Sequence, residues 1–201
     1  MPRLPTPLCA LAACFALGAC SLDSRDLAAF QHSASGPEKL RAILQSADRA
    51  GPLRAEAALK LLDLPRDDVD GRALLFSELN RLDASGKRAI LPEFKEGLSR
   101  RMQTPRGQQP SVSAIRAKDA GTKVLALLEP SERALLGSEL LHFVAEDVPR
   151  RADVGELSLE QIAARIGPES AKTLVEELNV SLDPASLARV ARVIDAHADP
   201  G

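Results

Sequence analysis

Apolar residues recur along this chain at intervals of three and four, and the pattern from residue 36 onward spells helices. Leu40, Ile43, Leu44 and Ala47 share one face of a first helix, opened by Pro37, with Ser35 and Glu38 spaced as a capping box. Gly51 stops it and Pro52 starts a second. There Leu53, Ala57, Leu61 and Leu62 form a face, while Arg54, Glu56, Lys60 and Asp63 look to water. Pro65 ends that helix. Leu74, Leu75, Leu79 and Leu82 mark a third. Ile90, Leu91, Phe94, Leu98 and Met102 mark a fourth, and Pro92 inside it should kink or split it by removing a ladder hydrogen bond.

Residues 103–113 interrupt the rhythm with Pro105, Gly107, Pro110 and polar neighbours, and read as a linker or long loop. A fifth helix then carries Val112, Ile115, Val124, Leu125 and Leu128. A sixth opens at Pro130 with Leu135, Leu136, Leu140, Phe143 and Val144. Residues 149–155 read as a second loop. Ser158 with Gln161 caps a short seventh helix closed by Gly167. Pro168 starts an eighth with Leu174, Val175 and Leu178, and Asp183-Pro184 a last one with Leu187, Val190, Ala191 and Ile194. No stretch alternates with period two, so no sheet is expected. The expected fold class is all-α, with eight to nine short helices as stacked hairpins, in an α-solenoid-like array or an irregular bundle.

The first four helices start near residues 37, 52, 70 and 86, so a helix pair recurs about every 33 residues, a repeat-protein period. The run Leu53-Arg54-Ala55-Glu56-Ala57-Ala58-Leu59-Lys60-Leu61-Leu62 resembles the second helix of a HEAT-type repeat, and Ile90-Leu91-Pro92-Glu93-Phe94 its kinked first helix. The resemblance implies a HEAT-like N-terminal helical region over 37–102, followed by the linker at 103–113 and a C-terminal helical region over 114–201.

The start of the chain follows a different rule. Arg3 is the only charge before Asp23, and the residues between are almost all apolar or small. The apolar run from Leu8 to Ala19 is shorter than the ~20 residues that span a bilayer, so it reads as an export signal. Leu17-Gly18-Ala19-Cys20 resembles the lipobox of bacterial lipoproteins. Leu11-Ala12-Ala13-Cys14 also fits, behind a shorter apolar core that holds two prolines. The resemblance implies that residues 1–19 are a cleaved signal peptide and that Cys20 carries thioether-linked diacylglycerol and an N-acyl chain. No other cofactor is implied. Two or more chains hold a protein stably in a membrane. Ser21 in place of Asp leans toward the outer membrane, on its periplasmic face. Residues 20–36 would be the lipidated N-terminus and tether. Within them Leu27-Ala28-Ala29-Phe30 either spaces the domain from the membrane or packs on it as a helix.

Composition narrows the function. All three cysteines, Cys9, Cys14 and Cys20, lie within the first twenty residues, and a cut before Cys20 leaves only the acylated one, so the remaining domain has no disulfide to form. A formal net charge of −2 argues against a nucleic-acid partner. There is no Trp or Tyr, and Phe15 falls in the leader; few rings remain to stack on sugars or bases.

Four patterns invite a chemical reading. Glu139, His142 and Glu146 sit near one helix face, but di-metal carboxylate bundles need a second Glu-x-x-His, and here there is one copy. Asp67-Asp68-Val69-Asp70-Gly71 hints at a calcium loop, yet Arg66 and Ser77 stand where acidic ligands belong, so these acids read as helix N-terminal charge. Leu159 to Pro168 resembles the start of a helix-turn-helix, but the helix after it offers only Lys172 against Glu169, Glu176 and Glu177 and would repel phosphate. Arg100, Arg101, Arg106, Arg116, Lys118 and Lys123, offset by Asp119, read as a solvated charge run or as a surface for lipid head groups, lipopolysaccharide phosphate or an acidic partner. No nucleophile elbow, phosphate-binding glycine loop or zinc histidine pair is present, so no catalytic residue is assigned. Isolated carboxylates such as Glu93 and Glu96 could serve acid/base chemistry.

The expectation is therefore a membrane-anchored envelope lipoprotein, non-enzymatic, acting as a helical scaffold or protein-interaction module in the periplasm. Its partners would be membrane lipid through Cys20 and another envelope protein. The alternatives are a periplasmic enzyme or accessory domain using helix carboxylates, and a carrier of an anion or anionic lipid.

Overall fold

The computed structural model describes residues 22–65, 68–105, 108–177 and 183–197. Among them every regular element is helical. The order is α1 (Ser24–Gln31), α2 (Gly36–Gln45), α3 (Gly51–Leu62), α4 (Gly71–Arg81), α5 (Ala84–Met102), α6 (Val112–Val124), a 3-10 turn (Leu125–Leu127), α7 (Pro130–Ala145), α8 (Val148–Val154), α9 (Leu159–Ile166), α10 (Glu169–Glu177) and α11 (Pro184–His197). The all-α class holds. Among the described residues eleven α-helices are present rather than eight to nine; one addition takes the packed-helix alternative for the tether region and the other replaces an expected loop.

The first is α1. Asp23 accepts hydrogen bonds from the backbone N–H groups of Arg25 (2.8 Å) and Asp26 (3.2 Å), and the Asp26 carboxylate accepts from Asp23 N (3.0 Å), which completes a capping box. Leu27 is fully buried, and Gln31 Nε2 donates to Lys60 O at 3.1 Å. Residues 24–31 are thus part of the folded body, packed on α2 and α3, and not a free tether. The second is α8, in place of the loop at 149–155. Pro149 sits in its first turn, where a missing N–H costs nothing, and Val148 and Arg151 are buried.

The remaining helices begin close to their expected starts, with three local differences. Ser35 makes no side-chain capping bond, so the box with Glu38 does not form. Gly51 opens α3 rather than merely ending α2, and no larger residue fits there, since a Cβ would collide with the Ala89 carbonyl oxygen of α5. Pro92 does not split α5, which runs unbroken for 19 residues with Pro92 exposed.

Helix α3 lies against α2 and α5, and α4 leans on α2 and α3. Arg54 of α3, expected in water, is buried, and its Nε donates to Leu44 O at 2.9 Å. That satisfies a carbonyl in the last turn of α2, which has no partner within its own helix. Glu78 of α4 is also buried. Its Oε1 accepts from Arg41 Nε (2.8 Å) and Nη2 (2.6 Å), and its Oε2 from Gln45 Nε2 (2.9 Å), so α2 is pinned to α4. Beyond the loop at 103–113, α6 packs back on α5, and α7 contacts α5, α6, α9 and α10. Apolar side chains from both sides of that loop, Leu61 and Leu98 before it and Leu140 and Ile162 after it, belong to one core. Helix α9 starts with the expected capping box, Gln161 N to Ser158 Oγ and Ser158 N to Gln161 Oε1. Gly167, at φ +95°, makes the turn into α10. No described helix is long and apolar enough to cross a membrane.

Candidate functional site

Helix α6 organises the charged chemistry of the molecule. Ala114, Ile115, Lys118 and Thr122 recur at helical spacing on its buried side. Lys118 is therefore not a surface residue; its side chain is 0% exposed and leaves the set of expected anion contacts. Its Nζ donates to Asp147 Oδ2 at 2.8 Å and to Phe143 O at 2.6 Å. Arg151 of α8 donates through Nε to Asp147 Oδ1 at 3.1 Å and through Nη1 to Asp119 Oδ1 and to Leu157 O at 2.8 Å. All four side chains are buried. Two cations and two carboxylates cancel, and nearly every ionised atom has a hydrogen-bond partner, which is what makes buried charge tolerable. Burial pushes the Lys118 amine below its ordinary range, while the Asp147 carboxylate pulls it back up.

This network fixes a surface residue. Asp119 Oδ2 accepts from Glu156 N at 2.9 Å, and Arg151 holds the Leu157 carbonyl, so the α8–α9 loop is tied down from below. Glu156 then turns its carboxylate outward. One oxygen pairs with Arg72 of α4, and the other with Lys123 Nζ of α6 at 3.2 Å. Lys123 also lies over the Phe76 ring, 5.2 Å from its centre.

Among the described residues, two of the other expected cations are engaged by acids of their own helix or a neighbouring one. Arg100 pairs with Glu96 one turn earlier on α5, at 2.7 Å. Arg101 pairs with Asp63 of α3 at 2.8 Å. Arg116 lines an open cleft with Leu62, Leu64, Val69, Asp70 and Arg72. Arg106 and Cys20 lie outside the described residues.

Two further concavities bear on function. Between α5 and α7 an open groove of about 510 Å³ is lined by Lys95, Glu96, Ser99, Glu132, Leu135, Leu136 and Glu139. Lys95 Nζ reaches Glu132 Oε1 at 2.6 Å, and this bond holds the Glu132 carboxyl below its ordinary range. Ser99 Oγ donates to Glu139. Leu135, expected on the apolar face of α7, is 75% exposed here. With Val175 of α10, also expected inside, it is one of two large apolar side chains in the open among the described residues. The second concavity, of about 410 Å³, lies where α6, α7 and α9 meet and is lined by Lys123, Arg133 and Arg165 with Thr122, Leu125 and Ala126.

The motif readings resolve in ordinary structure. Asp70 caps α4, accepting from Arg72 N (3.1 Å) and Ala73 N (3.0 Å); Asp67 is outside the described residues. Glu139 is engaged by Ser99, and the His142 ring packs at 5.3 Å from that of Phe143. Among the described residues no three His, Cys, Asp or Glu side chains converge as a metal site. The helix-turn-helix resemblance corresponds to the α9–Gly167–α10 hairpin.

Sequence reasoning missed Asp147, Arg151 and Glu156, and it missed Arg133, Arg165 and the Leu135 groove. One signal was available: Asp147 and Arg151 are spaced i, i+4, the interval of a helical ion pair. No family model matches the chain, and no curated protein or solved structure matches it either.

Proposed function

We propose that this protein is a lipid-anchored, non-enzymatic helical module of the bacterial envelope, and that the α5–α7 groove holds a basic segment of another envelope protein. The observation that carries the docking reading is Leu135, an exposed leucine in a groove lined by Glu96, Glu132 and Glu139, of which Glu132 is paired with Lys95 and Glu96 with Arg100. An apolar side chain flanked by Lys or Arg on the partner complements that groove in shape and charge.

The anchor reading rests on Leu17-Gly18-Ala19-Cys20 and is supported by the distance to the folded body. Asp23, the cap of α1, follows Cys20 by three residues, at most about 10 Å of chain. An acylated Cys20 therefore holds α1 against the head groups, and Ser21 in place of Asp favours the periplasmic face of the outer membrane. The helical body is read as HEAT-like stacking over α2 to α5. In its support, α2 meets α4 and α3 meets α5, as equivalent helices do in successive repeats.

The docking test places a photo-reactive amino acid at position 135 of the full chain in cells. The expected result is one discrete adduct whose partner peptide carries an apolar residue beside Lys or Arg, and which disappears in Glu96→Lys with Glu132→Lys. No discrete adduct, or one that survives charge reversal, overturns the reading.

A further inference from the structure

We propose that the hollow where α6, α7 and α9 meet binds a phosphate ester. Three of its six lining residues are cations, Lys123, Arg133 and Arg165, each from a different helix, and no described lining residue is acidic. Leu125 and Ala126 supply an apolar side, which suits a phosphate bonded to carbon better than a bare inorganic ion. The volume of about 410 Å³ falls in the range of small-ligand sites.

Helix chemistry explains only part of this arrangement. Lys123 and Arg165 stand in the last turns of α6 and α9, where a cation offsets the negative end of the helix dipole. Arg133, the fourth residue of α7, lies toward the N-terminal end of its helix, where the dipole offers a cation no stabilisation. It is held there by one Nη2 bond to Leu128 O at 3.2 Å, which leaves other donors of the guanidinium fork for an oxyanion. Among the described residues Arg165 has no ion pair, and its side chain is exposed. Lys123 is shared with Glu156 at 3.2 Å, so Glu156 is the acid that competes with a ligand for it. The site shares no lining residue with the α5–α7 groove and stands or falls apart from the docking reading.

Two probes separate the sources of the phosphate. Glycerol 3-phosphate stands for a soluble monoester and glycerophosphoglycerol for a lipid head group without its chains. Each is titrated calorimetrically into the full chain in non-ionic detergent. Binding that weakens as salt rises is expected, tighter for the diester if the ligand is a lipid head group and tighter for the monoester if it is soluble. Arg133→Gln with Arg165→Gln should weaken binding roughly tenfold for each arginine, the scale of one charge-assisted hydrogen bond. Glu156→Gln, which frees Lys123, should strengthen it severalfold, a gain that misfolding cannot imitate. Arg88→Gln, on exposed α5 surface, should leave it unchanged. No binding at millimolar probe, no loss in the double variant, or an equal loss in Arg88→Gln overturns the proposal.

Discussion

Lys118 Nζ lies 2.8 Å from Asp147 Oδ2, and neither side chain reaches solvent. This pair is the inner end of a chain of contacts that runs through Arg151 and Asp119 to Glu156 and so to the surface cations Arg72 and Lys123. The position of the Glu156 carboxylate between Arg72 and Lys123 is set from inside.

Breaking the pair on one side leaves an uncompensated buried charge. Lys118→Met should cost about 3–5 kcal/mol of stability. Adding Asp147→Asn should recover much of that loss, since Arg151 and Asp119 then balance. Chemical denaturation of the two single variants and the double variant gives the coupling. Additive losses would mean that the two groups do not act as a pair.

A separate ion pair between α9 and α11 makes a small acid-sensitive contribution. Arg189 Nε and Nη2 donate to Glu160 Oε1 (2.9 Å) and Oε2 (3.1 Å), and this bond holds the Glu160 carboxyl at about 2. A depressed carboxyl contributes stability above its ordinary value of 4.5 and loses it as pH falls from there toward about 2. In Arg189→Gln the Glu160 midpoint should climb back toward 4.5, as read by carboxyl NMR. Both groups are partly open to water, so the stability change should stay below about 1 kcal/mol.

Two glycines should respond to alanine for different reasons. Gly167→Ala meets no steric obstacle, but φ +95° with ψ −159° is a region reserved for glycine, and the cost should be about 1–3 kcal/mol. Gly51→Ala pushes a methyl into the Ala89 carbonyl and must separate α3 from α5. Thermal unfolding measures both. A shortened valine-like or smaller side chain near α5 cannot rescue Gly51→Ala, because the obstacle is backbone.

Much of the helix order was legible because leucines at three- and four-residue spacing need a buried face. Two short helices carried too little of that pattern. Helix α1 buries a single side chain deeply, Leu27, and α8 begins with a Val-Pro pair whose proline looked like a breaker and is instead a first-turn residue. Charge misled twice in the same way. Arg54 and Lys118 were read as solvated from their side-chain type, although each sits at the spacing of its buried neighbours, Lys118 three residues after Ile115 and Arg54 three before Ala57. Their partners, Leu44 O and Asp147, come from other helices, and no local pattern announces them. The groove around Leu135 was hidden for the reverse reason: periodicity assigned the leucine inward, and α5 leaves it open.

The anchor is tested most directly by intact-mass analysis of the N-terminal peptide from membranes of cells making the full chain. The expected peptide begins at Cys20 and carries diacylglycerol on sulfur with an acyl group on the amine. A free Cys20 thiol still joined to residues 1–19 would contradict lipid anchoring, and with it the placement of this helical body at the membrane.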